Sequence, residues 1–212
     1  MKTFIAIPCM DMVNTSFVRS LIGMRLTEGD SFNYCFSQAS LVYDSRNKLA
    51  NMAIEGGYDR ILWLDSDMVF QADLLERLGA DLDEGRDLVS GLYFTRKPPI
   101  RPAVYQRLGM YPRPVDGATV PTAEPVAELP EEIFEAEGIG FGAVLMSVKL
   151  LKDVTDRFGL PFSPILGFGE DFSFCLRARE LGAHLWCDPR VVLQHEGMHL
   201  FGVEEYLISK GG

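Results

Sequence analysis

Positive charge is in short supply in this 212-residue chain: 20 lysines and arginines stand against 30 aspartates and glutamates, for a formal net charge of −10 and a pI of about 4.8. Nucleic acid and anionic membrane surfaces both require a basic face on their partner, so neither is expected here. Cysteine is also sparse. Cys9, Cys35, Cys175 and Cys187 form no C-x-x-C pair and no zinc-ribbon spacing. Four cysteines in a chain this long make no disulfide scaffold, and reduced thiols in a cytoplasmic protein are the expectation. No apolar run approaches the roughly 20 residues that a bilayer span needs. In "MKTFIAIPCMD", Pro8 and Asp11 end the apolar run too soon for a signal peptide, and "FIAIP" reads as a first strand. No internal repeat is visible. A soluble protein remains, and its 47% hydrophobic content suffices for one well-buried domain, residues 1–212, with an elaborated loop.

Strand and helix patterns alternate through the first half, which predicts an α/β domain with a mainly parallel, Rossmann-like central sheet flanked by helices. "TFIAIP" is a compact buried-strand run, and a helix follows from Asn14 or Thr15, with Phe17, Leu21 and Met24 at core-facing spacing. "FNYCFSQA" reads as a second strand. Ser40 is a candidate cap for the helix "LVYDSRNKLANMAIEGG", which Gly56 and Gly57 stop. "RILWLDSD" is a third strand, "ADLLERLGADLDEG" an amphipathic helix and "DLVSGLYF" a fourth strand. Then the composition shifts. Eight of the twelve prolines fall between Pro98 and Pro130, so residues 95–137 are expected to form a Pro-rich, mostly irregular excursion. "IGFGAVLMSV" resumes as a strand, followed by helices around "KLLKDVTDRFG" and from Glu170 to Leu181, the latter stopped by Gly182. "HLWCD" and "RVVLQH" are expected as two short closing strands.

The most informative stretch is "LWLDSDMVF", where Asp65 and Asp67 interrupt an apolar run at the end of a buried strand. In an open α/β sheet, ligands bind at that edge. Two carboxylates one residue apart can share a hard divalent cation, and the cation in turn grips a diphosphate. A turn with two solvated aspartates is the competing account, and the flanking "ILWL" and "MVF" disfavour it. Glu170 and Asp171 open a helix after "GFG", where acidic residues also offset the helix dipole. "QHEGMHLFG" presents a different possibility. His195, Glu196, His199 and Gly202 fit H-E-x-x-H-x-x-G, the mark of a zinc peptidase, in which two histidines on one helical face grip Zn²⁺.

In order along the chain, several motifs resemble those of GT-A glycosyltransferases, in particular family-2-like ones. They are a first strand ending in Pro8, "DSRNKLA", "LDSD", "GIGFGAVLMS", "GFGEDFSFCLRARELG" and a histidine on the last strand. The resemblance implies the GT-A fold and a transferase of the hexosyltransferase class. Such an enzyme moves a sugar from a nucleotide-diphosphate donor, UDP- or GDP-linked, to a hydroxyl acceptor with Mn²⁺ or Mg²⁺. It further implies that Asp67 and His195 hold the metal. Asp65 contributes to the metal site or contacts the ribose or a metal-bound water. Pro8 and its neighbours line the base pocket, with Asp11 and Ser66 among the donor contacts. Arg46 lies near the base or diphosphate, or else is an exposed helix arginine. Asp171 serves as general base with Glu170 in support, which implies inversion at the anomeric carbon. The Gly-rich "GIGFG" would let backbone approach the sugar, although a strand bulge explains it as well.

Two other classes compete with this reading. The peptidase pattern needs a continuous helix, yet "RVVL" leans to strand and Gly197 sits inside the motif. Its third-ligand position holds Glu205, and little chain follows Gly202 to supply a Met-turn or a distant ligand. A non-catalytic nucleotide-sugar-binding module is the other alternative. A sugar-nucleotide pyrophosphorylase would need a basic Gly-rich loop where this chain reads "PCMDMVNTSF".

Overall fold

The computed structural model describes residues 1–26, 28–197 and 200–210. The first strand, β1 (Lys2–Cys9), is buried from Thr3 to Pro8. An unbroken buried run of that length means that both faces of the sheet are covered. After it come α1 (Thr15–Gly23), β2 (Ser31–Gln38), α2 (Val42–Glu55), β3 (Arg60–Leu64), β4 (Met68–Val69), α3 (Leu74–Asp83) and β5 (Leu88–Leu92). The middle of the chain forms β6 (Val104–Pro112), β7 (Thr119–Pro125), β8 (Phe134–Ala136), β9 (Gly138–Ile139) and β10 (Ala143–Ser147). The remainder is α4 (Val148–Phe158), α5 (Glu170–Glu180), β11 (Leu185–Val192), β12 (Gln194–Glu196), β13 (Leu200–Phe201) and α6 (Val203–Lys210).

The main sheet has the order β2-β1-β3-β10-β5-β11-β8. Strands β2, β1, β3, β5 and β11 run one way, while β10 and β8 run against them. The expected mainly parallel α/β sheet is therefore present. Alternation along the strands divides the core in two. Phe4 and Ala6 of β1 and Ile61 and Trp63 of β3 pack with α2, α4 and α5. Ile5, Ile7, Leu62 and Leu64 face the other way, toward Phe17 of α1 and Leu74, Leu75 and Leu78 of α3. Gly57 and Gly182 carry positive φ just beyond α2 and α5, where their missing side chains let each helix stop. All four cysteines are free.

Three expectations need correction. Residues 95–137 are not mostly irregular: β6 and β7 form an antiparallel hairpin, and β9 joins β6 in a second sheet of order β7-β6-β9. The prolines misled because Pro121 and Pro125 lie on β7, an edge strand, where a missing N–H need not break a ladder. Ser40 does not cap α2, since the cap position is Leu41 and makes no side-chain bond. The closing strands are divided differently as well. β11 runs through Pro189 to Val192 with a register shift after Asp188. Gln194 and His195 belong to β12, in a small sheet with β13 and β4.

Candidate active site

Parallel strands β1 and β3 end side by side, and the chain beyond them borders a cavity of about 530 Å³. Pro8, Cys9 and Met10 leave β1 along one wall, and Ser40 to Tyr43 lead into α2 beside them. The other wall is chemically different. It holds Asp65, Ser66, Asp67, Arg96, Glu170 and His195.

Arg46 anchors this acidic wall from below. It falls on the core face of α2, in line with Leu49, Ala50 and Ala53, and is only 2% exposed. Its guanidinium lies within 5.5–6.0 Å of the Phe141, Trp63 and Phe162 ring centres. Nη2 donates to Asp65 Oδ1 at 2.8 Å and Nε reaches Glu170 Oε1 at 3.5 Å. Burial opposes the charge, but the fields of Asp65, Glu170 and Asp171 outweigh it and hold the Arg46 pKa above its ordinary value. Asp65 is pushed up by desolvation, with Arg46 opposing and Asp67 reinforcing the shift. The Asp65 backbone N–H donates to the Gly142 carbonyl at 3.0 Å, which fixes the turn carrying both aspartates.

Asp67 and His195 meet because β12 pairs with β4, setting His195 opposite Met68. The Glu196 backbone N–H donates to the Asp67 carbonyl at 2.8 Å. His195 Nδ1 lies 3.0 Å from the Phe94 carbonyl, an acceptor only, so Nδ1 carries the proton and donates. Nε2 therefore faces the cavity, 3.4 Å from Asp67 Oδ1. The other carboxylate oxygen, Oδ2, accepts from Arg96 Nη1 at 2.5 Å. Desolvation works against the Asp67 charge, yet His195, when it carries a proton on both ring nitrogens, and then Arg96 hold its pKa below the usual range.

Glu170 and Asp171 occupy the first turn of α5. Asp171 is outside the cavity lining, but Glu170, Arg46 and Asp65 all act on it. Burial, followed by the Glu170 charge, raises its carboxyl to about 6. Glycines of "GIGFG" leave room for a neighbouring ring. A Cβ on Gly142 would meet Tyr93 Cζ at 2.8 Å, and the Gly142 N–H donates to the Tyr93 hydroxyl at 3.1 Å. That ring in turn stands edge-on to His195, with centroids 5.6 Å apart.

The cavity thus gathers Pro8, Arg46, Asp65, Ser66, Asp67, Glu170 and His195. Asp11 is not among its lining residues; its carboxylate accepts from Gln38 at 2.5 Å. Arg96 was missed by sequence reading, being hidden in the Pro-rich stretch with no motif around it. His184 is an exposed residue paired with Glu135 at 2.7 Å. The helix that the peptidase pattern requires is absent at 194–196, which is strand, and Glu196 accepts from the Ser16 hydroxyl. His199 lies outside the described residues.

Among the described residues, no three His, Cys, Asp or Glu side chains form a ready-made metal cage. The donor set still fits a divalent ion bound jointly with a ligand. Cis ligands of an octahedral ion at about 2.1 Å lie about 3 Å apart, close to the Asp67–His195 separation. The Phe94 carbonyl supplies the outer hydrogen bond that leaves Nε2 free to ligate. A magnesium-like ion commonly completes its shell with phosphate oxygens and water rather than with an all-protein cage.

No protein-family model and no curated protein sequence matches the chain, but solved structures do. Protein A197 from STIV aligns over 93% of this chain and 86% of its own, at 20% identity and a TM-score of 0.67. GalNAc-T7, crystallised with UDP, GalNAc and Mn²⁺, aligns over 100% of this chain at 11% identity and a TM-score of 0.62. S. aureus TarS (residues 1–349) aligns over 89% at 14% identity and a TM-score of 0.53. This chain spans only 47% of the GalNAc-T7 chain and 60% of the TarS chain. At these identities it is the fold that is shared. The chain has the GT-A fold of glycosyltransferases.

Proposed function

We propose that this GT-A chain transfers a sugar from a UDP- or GDP-linked donor to a hydroxyl acceptor, with Mn²⁺ or Mg²⁺ as cofactor. One observation carries the reading. The Phe94 carbonyl pins His195 so that Nε2 faces Asp67, inside the same cavity that holds Asp65 and Glu170. The GalNAc-T7 structure, with its UDP and Mn²⁺, supports it by analogy of fold.

Asp67 and His195 would hold the ion, and Pro8 with its neighbours would line the nucleoside end. The bound ion would neutralise charge on the departing diphosphate. Asp65, oriented by Arg46, would contact the ribose or a metal-bound water. Asp171, the chain neighbour of the cavity-lining Glu170, would take the proton of an attacking hydroxyl that reaches past the present lining. Its raised pKa, about 6, makes it a stronger base than an ordinary aspartate while leaving it ionised at neutral pH. Direct attack assisted by one base gives inversion. Glu170 keeps Arg46 in place beneath both carboxylates. The 95–137 excursion supplies Arg96 and borders the acceptor side.

Calorimetric titration of UDP and GDP, with and without Mn²⁺, tests the reading. Metal-dependent binding of one nucleotide, lost in Asp67→Ala, is expected. Asp171→Asn should keep that binding and lose most transfer. Binding that survives Asp67→Ala would remove the metal assignment. Nucleotide binding without turnover of any nucleotide sugar would favour a non-catalytic binding module. Tight Zn²⁺ binding with no response to nucleotide would favour the peptidase, which the strand at 194–196 already opposes.

A further inference from the structure

Arg96 sits at the junction of the metal-side carboxylate and open cavity, and no motif announces it. Its guanidinium donates to Asp67 Oδ2 at 2.5 Å while Asp67 Oδ1 faces His195. The side chain remains 47% exposed. Among the described residues Asp67 is its only polar partner, so the other N–H donors of the fork have no protein acceptor.

The backbone beneath it is tied at both ends. Phe94 bridges to Pro102, Thr95 N–H donates to the Arg101 carbonyl at 2.9 Å, and Arg101 N–H donates to Thr95 Oγ1 at 3.1 Å. The same Phe94 carbonyl that orients His195 lies two residues before Arg96. A rotation of the Arg96 side chain can thus change the site without opening the loop or disturbing the histidine.

Charge balance supplies the direction of that movement. Four carboxylates, Asp65, Asp67, Glu170 and Asp171, face two guanidiniums, Arg46 and Arg96. A divalent ion entering beside Asp67 cancels the excess negative charge and repels the nearby guanidinium. A diphosphate on that ion restores negative charge within reach of the displaced fork, and guanidinium–phosphate pairs are forked and charge-assisted.

The geometry points to Arg96 as an exchanging cation: it holds Asp67 before metal and donor enter, and it transfers to the donor diphosphate once they do. This rests on the metal and nucleotide reading above. It makes two demands of opposite sign on one side chain. Arg96 competes with the ion when no nucleotide is present, and assists nucleotide binding when the ion is present.

The test uses the full chain with Arg96→Ala and Arg96→Lys. Free Mn²⁺ is followed by electron paramagnetic resonance without nucleotide, and UDP or GDP binding by calorimetry at saturating Mn²⁺. Arg96→Ala should bind Mn²⁺ about two- to fivefold more tightly, the range of partly exposed ion pairs. The same variant should bind the nucleotide about tenfold more weakly or worse, the scale of a hydrogen bond between charged groups. Arg96→Lys should leave Mn²⁺ affinity near wild type and recover part of the nucleotide affinity. If wild type binds both ligands and Arg96→Ala alters neither, or alters both in the same direction, the exchange is wrong while the transferase reading stands. If wild type binds neither Mn²⁺ nor nucleotide, the transferase reading fails and takes the exchange with it.

Discussion

Replacing Arg46 with methionine should destabilise the protein even though methionine suits the aromatic surroundings better. Removing one partner of a buried ion pair costs about 3–5 kcal/mol, because the other charge stays behind. Here two carboxylates stay behind, and neither is fully buried: the Asp65 side chain is 30% exposed and that of Glu170 18%. Water screens both, and the new thioether gains contact with Trp63, Phe141 and Phe162, so the net loss falls to about 2–3 kcal/mol. The unmet Nη1 of the native arginine also disappears, which works the same way. For a chain of this length, about 2–4 °C per kcal/mol gives a melting temperature lower by about 4–12 °C. The loss has a pH signature. Asp65, whose carboxyl burial already pushes up, repels its neighbours only when ionised, so the deficit should be full near pH 7 and shrink toward pH 4 as it takes up a proton. Thermal unfolding of both proteins at the two pH values reads it directly. An unchanged melting temperature near pH 7, or an equal deficit at both pH values, would refute the electrostatic account of Arg46.

Other outcomes follow from the same wall. Since the Asp171 carboxyl is raised to about 6, transfer should rise with pH through that value, and an acid limb retained in Asp171→Asn would exclude it as the base. Its folded pKa lies above the unfolded value, so protonation stabilises the fold below about pH 4 and that contribution is lost as pH rises through about 6. Asp171→Asn should therefore be more stable than wild type near pH 8, by on the order of 1–3 kcal/mol, and melt correspondingly higher. Gly142→Ala drives a methyl against the Tyr93 ring; a cost of about 1–3 kcal/mol is expected, with weaker Mn²⁺ binding as the ring shifts against His195. Normal stability and metal affinity in that variant would show that the glycine is not needed to make room for Tyr93.

The parts of the molecule legible in the sequence are those whose signal is local. The strand runs of β1 and β3 are unbroken apolar stretches, and "LDSD" stands out because two charges interrupt one of them. Glycine stops at Gly57 and Gly182 follow from backbone sterics alone. Strand direction is not local, and nothing in "AVLMS" says that β10 runs against its neighbours. Proline density suggested irregularity at 95–137 because a sequence does not show that β7 is an edge strand.

The site divides along the same line. Arg46 is a charge within an apolar helical stripe, at positions 46, 49, 50 and 53, and that spacing contained the hint that it is buried. "GIGFG" was visible as a feature, but its packing against Tyr93 was not, because that residue is nearly fifty positions away. His195 was recognisable as a residue of consequence, while its tautomer depends on the Phe94 carbonyl about a hundred positions earlier. Arg96 gave no signal because an arginine in a loop is ordinary until a second strand system places Asp67 beside it. Residue type and order suffice to nominate ligands. Which lone pair is free, which carboxylate is already occupied and which proton is held tightly are properties of long-range contacts, and they decide what chemistry the nominated residues can perform.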